Sequence, residues 1–133
     1  MEPVRLPKKE RTKEVESKFS CELAILEGLK KCKNIEPFMR PVDEEEDGAP
    51  DYYETIASPI DLRTIEEKLR GNRYHKASEV HADIRRMWSN AKKYNFENKF
   101  MLKLTTSLEK EYQKLLRDYS PNPQGKSRQK KVK

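Results

Sequence analysis

The chain has 133 residues, of which 39% are charged and 34% hydrophobic, with a formal charge of +6. That length suits one domain and is too short for two full-sized cores. The apolar runs are too brief to span a membrane, no N-terminal stretch has the apolar centre of a signal peptide, and four glycines with 8% aromatics argue against an all-β sandwich. Residues 1–14 hold five basic and three acidic side chains with Pro3 and Pro7, and read as a flexible linker. Phe19, Leu23, Leu26 and Leu29 follow three-to-four spacing and predict a first helix over residues 15–34, which must end before Pro37. Residues 35–60 form a connection far longer than the few residues usual between bundle helices, with four prolines, an acidic run and the pair Tyr52-Tyr53. A second helix is expected over residues 61–70, capped by Asp61, striped by Leu62, Ile65 and Leu69, and stopped by Gly71-Asn72. Ser78 is the expected cap of a third, carrying Val80, Ile84, Met87, Trp88 and Ala91 on its buried side. A fourth, over residues 99–119, carries Met101, Leu104, Leu108, Tyr112, Leu115 and Tyr119 on one side. Residues 120–133, with five basic side chains and no acidic ones, read as a disordered basic tail. Four amphipathic helices without a confident strand predict an all-α helical bundle.

Catalytic chemistry is poorly supplied. The two histidines, His75 and His81, are spaced by six and match no metal-binding helix pair. Cys21 and Cys32 lie eleven apart without a ligand motif, and they fit the thiols of a reducing compartment better than a disulfide framework. No glycine-rich phosphate loop or nucleophile pattern occurs. The chain is therefore expected not to be an enzyme and to need neither cofactor nor metal. A binding site is better supported. Continuing the apolar period of the third helix lands on Asn95, whose amide needs partners or costs about 1–3 kcal/mol. Two solutions remain open on spacing alone: a local cap in the left-handed conformation, or an external carbonyl that accepts from the amide.

The ordered set Pro37-Phe38, Pro41-Val42, Pro50-Asp51-Tyr52-Tyr53, Pro59-Ile60-Asp61-Leu62, Met87, Asn90-Ala91 and Tyr94-Asn95 resembles a bromodomain, the module that reads acetyl-lysine, over residues 15–119. The resemblance implies a left-handed four-helix bundle with a long loop between the first and second main helices. It implies that Asn95 donates to the acetyl oxygen and that Tyr52 holds the same oxygen through water. By the same resemblance, Pro37 and Phe38 form the shelf, Val42 is a wall, Ala91 and Tyr94 line the pocket, and Met101 is the gatekeeper, with Phe100 competing for that last role. The partner it implies is an acetylated histone peptide, in the nucleus.

The sequence departs from the family at the shelf, where Glu36 replaces the usual tryptophan, and in the loop, which reads Asp43-Glu44-Glu45-Glu46-Asp47. Both changes remove apolar surface and add negative charge at the rim, which predicts a shallower, more open pocket with a weaker grip. A flexible, merely solubilising acidic run competes with that reading. Residues 36–54 hold eight acidic side chains and one basic, Arg40, so a basic peptide is favoured over a phosphate backbone. The competing function is a basic helical nucleic-acid binder acting weakly through its tails, followed by a scaffold for a partner helix. No membrane partner is expected, and the isolated domain is expected to be monomeric.

Overall fold

The computed structural model describes residues 18–119. The linker expected over 1–14 and the basic tail expected over 120–133 lie outside the described residues. In chain order the elements are α1 (Ser20–Lys30), a 3-10 turn (Glu36–Phe38), α2 (Tyr52–Thr55), α3 (Leu62–Arg70), α4 (Ala77–Tyr94) and α5 (Lys99–Tyr119). Among the described residues there is no strand. The four main helices, α1, α3, α4 and α5, form a bundle in which α5 packs on α1 and α4, and α3 packs on the same two.

Each helix contributes the apolar side its spacing predicts. Ile25, Leu26 and Leu29 of α1 meet Leu62, Ile65 and Leu69 of α3, Val80, Ile84 and Trp88 of α4, and Leu108 and Tyr112 of α5 in one core. Burying each large side chain contributes roughly 1.5–3 kcal/mol. Asp61 caps α3 as expected: its carboxylate accepts from the Thr64 N–H at 2.9 Å and from the Thr64 hydroxyl at 2.7 Å. Polar ties join the helices outside this core. Lys30 of α1 meets Glu66 of α3 at 2.6 Å, and Lys92 of α4 meets Glu109 of α5 at 2.6 Å. His81 of α4 lies between Glu22 of α1 at 3.0 Å and the Tyr112 hydroxyl of α5 at 2.7 Å.

Two boundary expectations and one burial expectation need correction. The first helix ends at Lys30, not residue 34, because the chain turns through Cys32 and reaches Asn34 in the left-handed conformation, φ 70°, which asparagine tolerates. Ser78 is inside the first turn of α4 and does not cap it; Glu79 reaches back instead, accepting from the His75 N–H at 2.7 Å. Tyr119 is 46% exposed, because the last turn of α5 outruns the core.

Candidate functional site

The long connection is held to the bundle by backbone carbonyls. Met39 accepts from the Arg63 N–H at 3.2 Å. Ser58 accepts from the Arg86 Nε and the Asn90 amide, both at 2.9 Å. Pro50 accepts from the Tyr94 hydroxyl at 2.8 Å, while within the connection Val42 accepts from the Tyr53 hydroxyl at 2.5 Å. A small second core forms beneath this connection from Ala49, Tyr52 and Ile56, with Val42 and Tyr94 against it. Asp51, at φ 66°, turns the chain so that α2 can begin and Tyr52 can point inward.

The acidic run is a hydrogen-bonded turn. The Asp43 carboxylate accepts from the N–H groups of Glu45 and Glu46, each at 3.0 Å. Glu44 accepts from the Tyr53 N–H at 3.0 Å, and Asp47 from the Asp43 N–H at 2.9 Å. Arg40 closes the turn on Asp47 at 3.0 Å. The Asp43 N–H and the Arg40 guanidinium hold the Asp47 carboxyl below its ordinary value. Only Glu36 and Asp47 of the acidic residues expected at the rim line the cavity; Asp43, Glu44, Glu45 and Glu46 stand outside its wall.

Between this connection and the ends of α4 and α5 lies a cavity of about 600 Å³. Pro37, Phe38 and Val42 line it from the connection, Tyr52 from α2, Ala91 and Tyr94 from α4, Asn95 from the α4 C-cap and Met101 from α5. Phe38 is buried and meets Trp88 edge-on, ring centres 5.1 Å apart. The Trp88 indole N–H is buried without a partner among the described residues. The Tyr52 ring lies 5.0 Å from that of Tyr94. Burial pushes the Tyr52 phenol above its ordinary value, so at neutral pH it stays a hydroxyl able to donate.

Asn95 has φ −101° and ψ 28°, so the left-handed cap expected from spacing does not form. Its side-chain amide donates instead to the Ala91 carbonyl at 2.9 Å. An amide has two N–H donors, and that bond uses one. Phe100 is 71% exposed and lies outside the cavity wall, whereas Met101 is in it. The structure adds residues that sequence reasoning missed. Met87, read as core, is buried yet also reaches the cavity, and Arg40, Ile60 and Asn98 line it too. Asn98 carried a signal, since its side chain accepts from the Met101 N–H at 3.1 Å as a helix-starting asparagine would. Arg40 and Met87 carried none, because nothing in their spacing separates a wall from a core or a surface. Among the described residues no group of three metal-ligating side chains occurs, and no helix is long and apolar enough to cross a membrane.

Comparison with known proteins gives a consistent result. Residues 22–107 match the family model described as Bromodomain. The chain is 37% identical over 90 residues, 68% of its length, to the nucleosome-remodeling factor subunit NURF301 of Drosophila melanogaster, covering 3% of that protein. It is 36% identical over 111 residues, 84% of its length, to the tyrosine-protein kinase BAZ1B of Danio rerio, covering 7% of that protein. Among solved structures, the bromodomain of human BAZ1A superposes with a TM-score of 0.70 at 31% identity, over 76% of this chain and 92% of that one. The chain thus spans a small part of the length of the curated relatives it matches.

Proposed function

The chain belongs to the bromodomain family, and on that premise we propose that its cavity holds the acetylated lysine of a histone tail, in the nucleus. Bromodomains bind acetylated lysine and are binding modules, not catalytic folds. The kinase in the name of the Danio rerio relative is said of a protein of which this chain covers 7%. The observation that supports the reading is that the Asn95 amide and the Tyr52 phenol line one cavity together with the apolar side chains of Phe38, Val42, Ala91 and Met101.

In this reading the free N–H of the Asn95 amide donates to the acetyl oxygen, and the Tyr52 hydroxyl reaches the same oxygen through water. Acetylation removes the lysine charge and leaves an amide on an aliphatic stem. An unmodified ammonium would lose its hydration against apolar walls and face an amide donor, so the pocket rejects charge as well as welcoming the amide. Pro37 and Phe38 form the shelf, Tyr94 lines the pocket while tying the loop to α4, and Met101 is the gatekeeper. Glu36 in place of a large apolar residue leaves the shelf open on one side, which weakens the hold on the acetyl group. The monomer is the working unit in this reading.

Titration of an acetylated histone-tail peptide against its unmodified twin, followed by calorimetry, tests the proposal. Binding is expected to need the acetyl group and to weaken at least tenfold, about 1.4 kcal/mol or more, in Asn95→Ala with the fold intact. Equal binding of the two peptides would sink it.

A further inference from the structure

The helix α5 has one side in the core and the other in solvent. Thr105, Leu108 and Tyr112 are buried, with Leu104, Leu115 and Leu116 packed at the margin. At 3.6 residues per turn, Lys99, Lys103, Lys110, Lys114 and Arg117 fall within an arc of about 60° on the opposite side. All five are exposed. Thr106 and Ser107 lie within about 20° of that arc, so no carboxylate falls inside it, while Glu111 and Asp118 flank it about 40–60° beyond one edge.

Seven of the described cations outside this helix face meet carboxylates, Lys30, Lys68 and Lys92 among them. Lys30 meets Glu27 and Glu66, Lys68 meets Asp83, and Lys92 meets Glu109. None of the five residues of the row forms an ion pair among the described residues. Lys99 with Lys103 and Lys110 with Lys114 are like charges one helical turn apart, an arrangement that disfavours the helix. An anionic partner would relieve that repulsion.

The row is straight and spans about 27 Å. Duplex DNA presents one phosphate charge per roughly 1.7 Å of its axis, so a straight row of cations finds partners along it without reading bases. A membrane surface fits less well, because the apolar side that would enter the bilayer is already committed to the bundle. The acidic turn Asp43–Asp47 belongs to the loop between α1 and α3 and not to this helix. We propose that the solvent face of α5 is a contact surface for the phosphate backbone of duplex DNA. The row starts two residues before Met101, which lines the cavity, and in sequence it is followed by the five cations of residues 120–133. The proposal goes beyond the acetyl-lysine reading and does not depend on it.

The test uses the full chain and a labelled mixed-sequence duplex of about 20 base pairs, read by fluorescence anisotropy between about 50 and 200 mM salt. Combined Lys103→Gln, Lys110→Gln and Lys114→Gln should lower affinity at least tenfold at low salt and flatten the log–log salt slope by about 2–3. Combined Lys→Arg at the same three positions should keep the affinity, which separates charge from shape. Replacing the five tail cations with Gln should leave binding that still falls with salt at a slope of about −4. Asn95→Ala should leave DNA affinity unchanged, and an unaltered circular dichroism spectrum and thermal midpoint establish that the triple Gln variant is folded. Wild-type DNA affinity in that variant, abolition of binding by the tail substitutions alone, or equal binding to phosphatidylserine vesicles would each overturn the proposal.

Discussion

Two polar residues of the bundle illustrate opposite uses of burial. Asn95 donates one amide N–H to the Ala91 carbonyl, which leaves its second N–H for the acetyl oxygen in the proposed reading. Asp83, by contrast, is fully spent: it accepts from Lys68 at 2.8 Å, the Tyr74 hydroxyl at 2.5 Å and Arg86 at 2.8 Å. Burial pushes its carboxyl up, yet the bonds from Lys68 and Tyr74 outweigh burial and hold it below the ordinary value. A carboxyl depressed in the folded state contributes stability that is present above its unfolded value, near 4, and is lost as pH falls through the folded one. Asp83→Asn should therefore cost about 2 kcal/mol at neutral pH. In urea unfolding, the gap between variant and wild type should narrow steadily from about pH 5 to pH 2; a gap independent of pH would refute the assignment. Residue roles of this sort were unevenly legible. Asp61 announced its cap by standing directly before an apolar period. Ser78 sent the same signal and was displaced by Glu79, whose longer side chain could reach back to the preceding backbone.

Helices α1 and α5 approach closely at Gly28. A Cβ built there would lie 2.6 Å from a methyl carbon of Leu115. Gly28→Ala gains up to about 1 kcal/mol of helix propensity and loses about 1–3 kcal/mol to overpacking, so a net loss of about 1 kcal/mol is expected. In a Leu115→Ala background the obstruction is gone and the same change should become stabilising. Thermal unfolding of the four proteins in this cycle would reveal the change of sign. Helix number and order were legible because a buried stripe repeats at the helical period. The long connection was also legible, from its length and prolines. Its closure was not, because the acceptors that pin it to the bundle are the carbonyls of Met39, Pro50 and Ser58. Every residue type offers that same acceptor, so sequence cannot single these out.

Over the whole molecule, the +6 total conceals a separation of sign. The connection over residues 36–54 carries eight acidic side chains against Arg40 alone, whereas one strip of α5 gathers five exposed cations. Basic acetylated peptides should be drawn to the first region, so their affinity should fall several-fold as salt rises from about 50 to 500 mM, by screening; calorimetry across that range checks this, and a flat response would remove the acidic edge from recognition. The division between ends and middle could be counted along the chain, but the row on α5 emerges only once the helix fixes which residues share a side. The edge contact of Phe38 with Trp88 has a practical consequence. The chain contains one tryptophan, 2% exposed, with an aromatic wall of the cavity leaning on it. Its emission is therefore an intrinsic optical gauge of what enters: an acetylated peptide that shifts Phe38 should change its intensity without any attached dye, and Phe38→Leu should silence the signal while Trp88 continues to report unfolding.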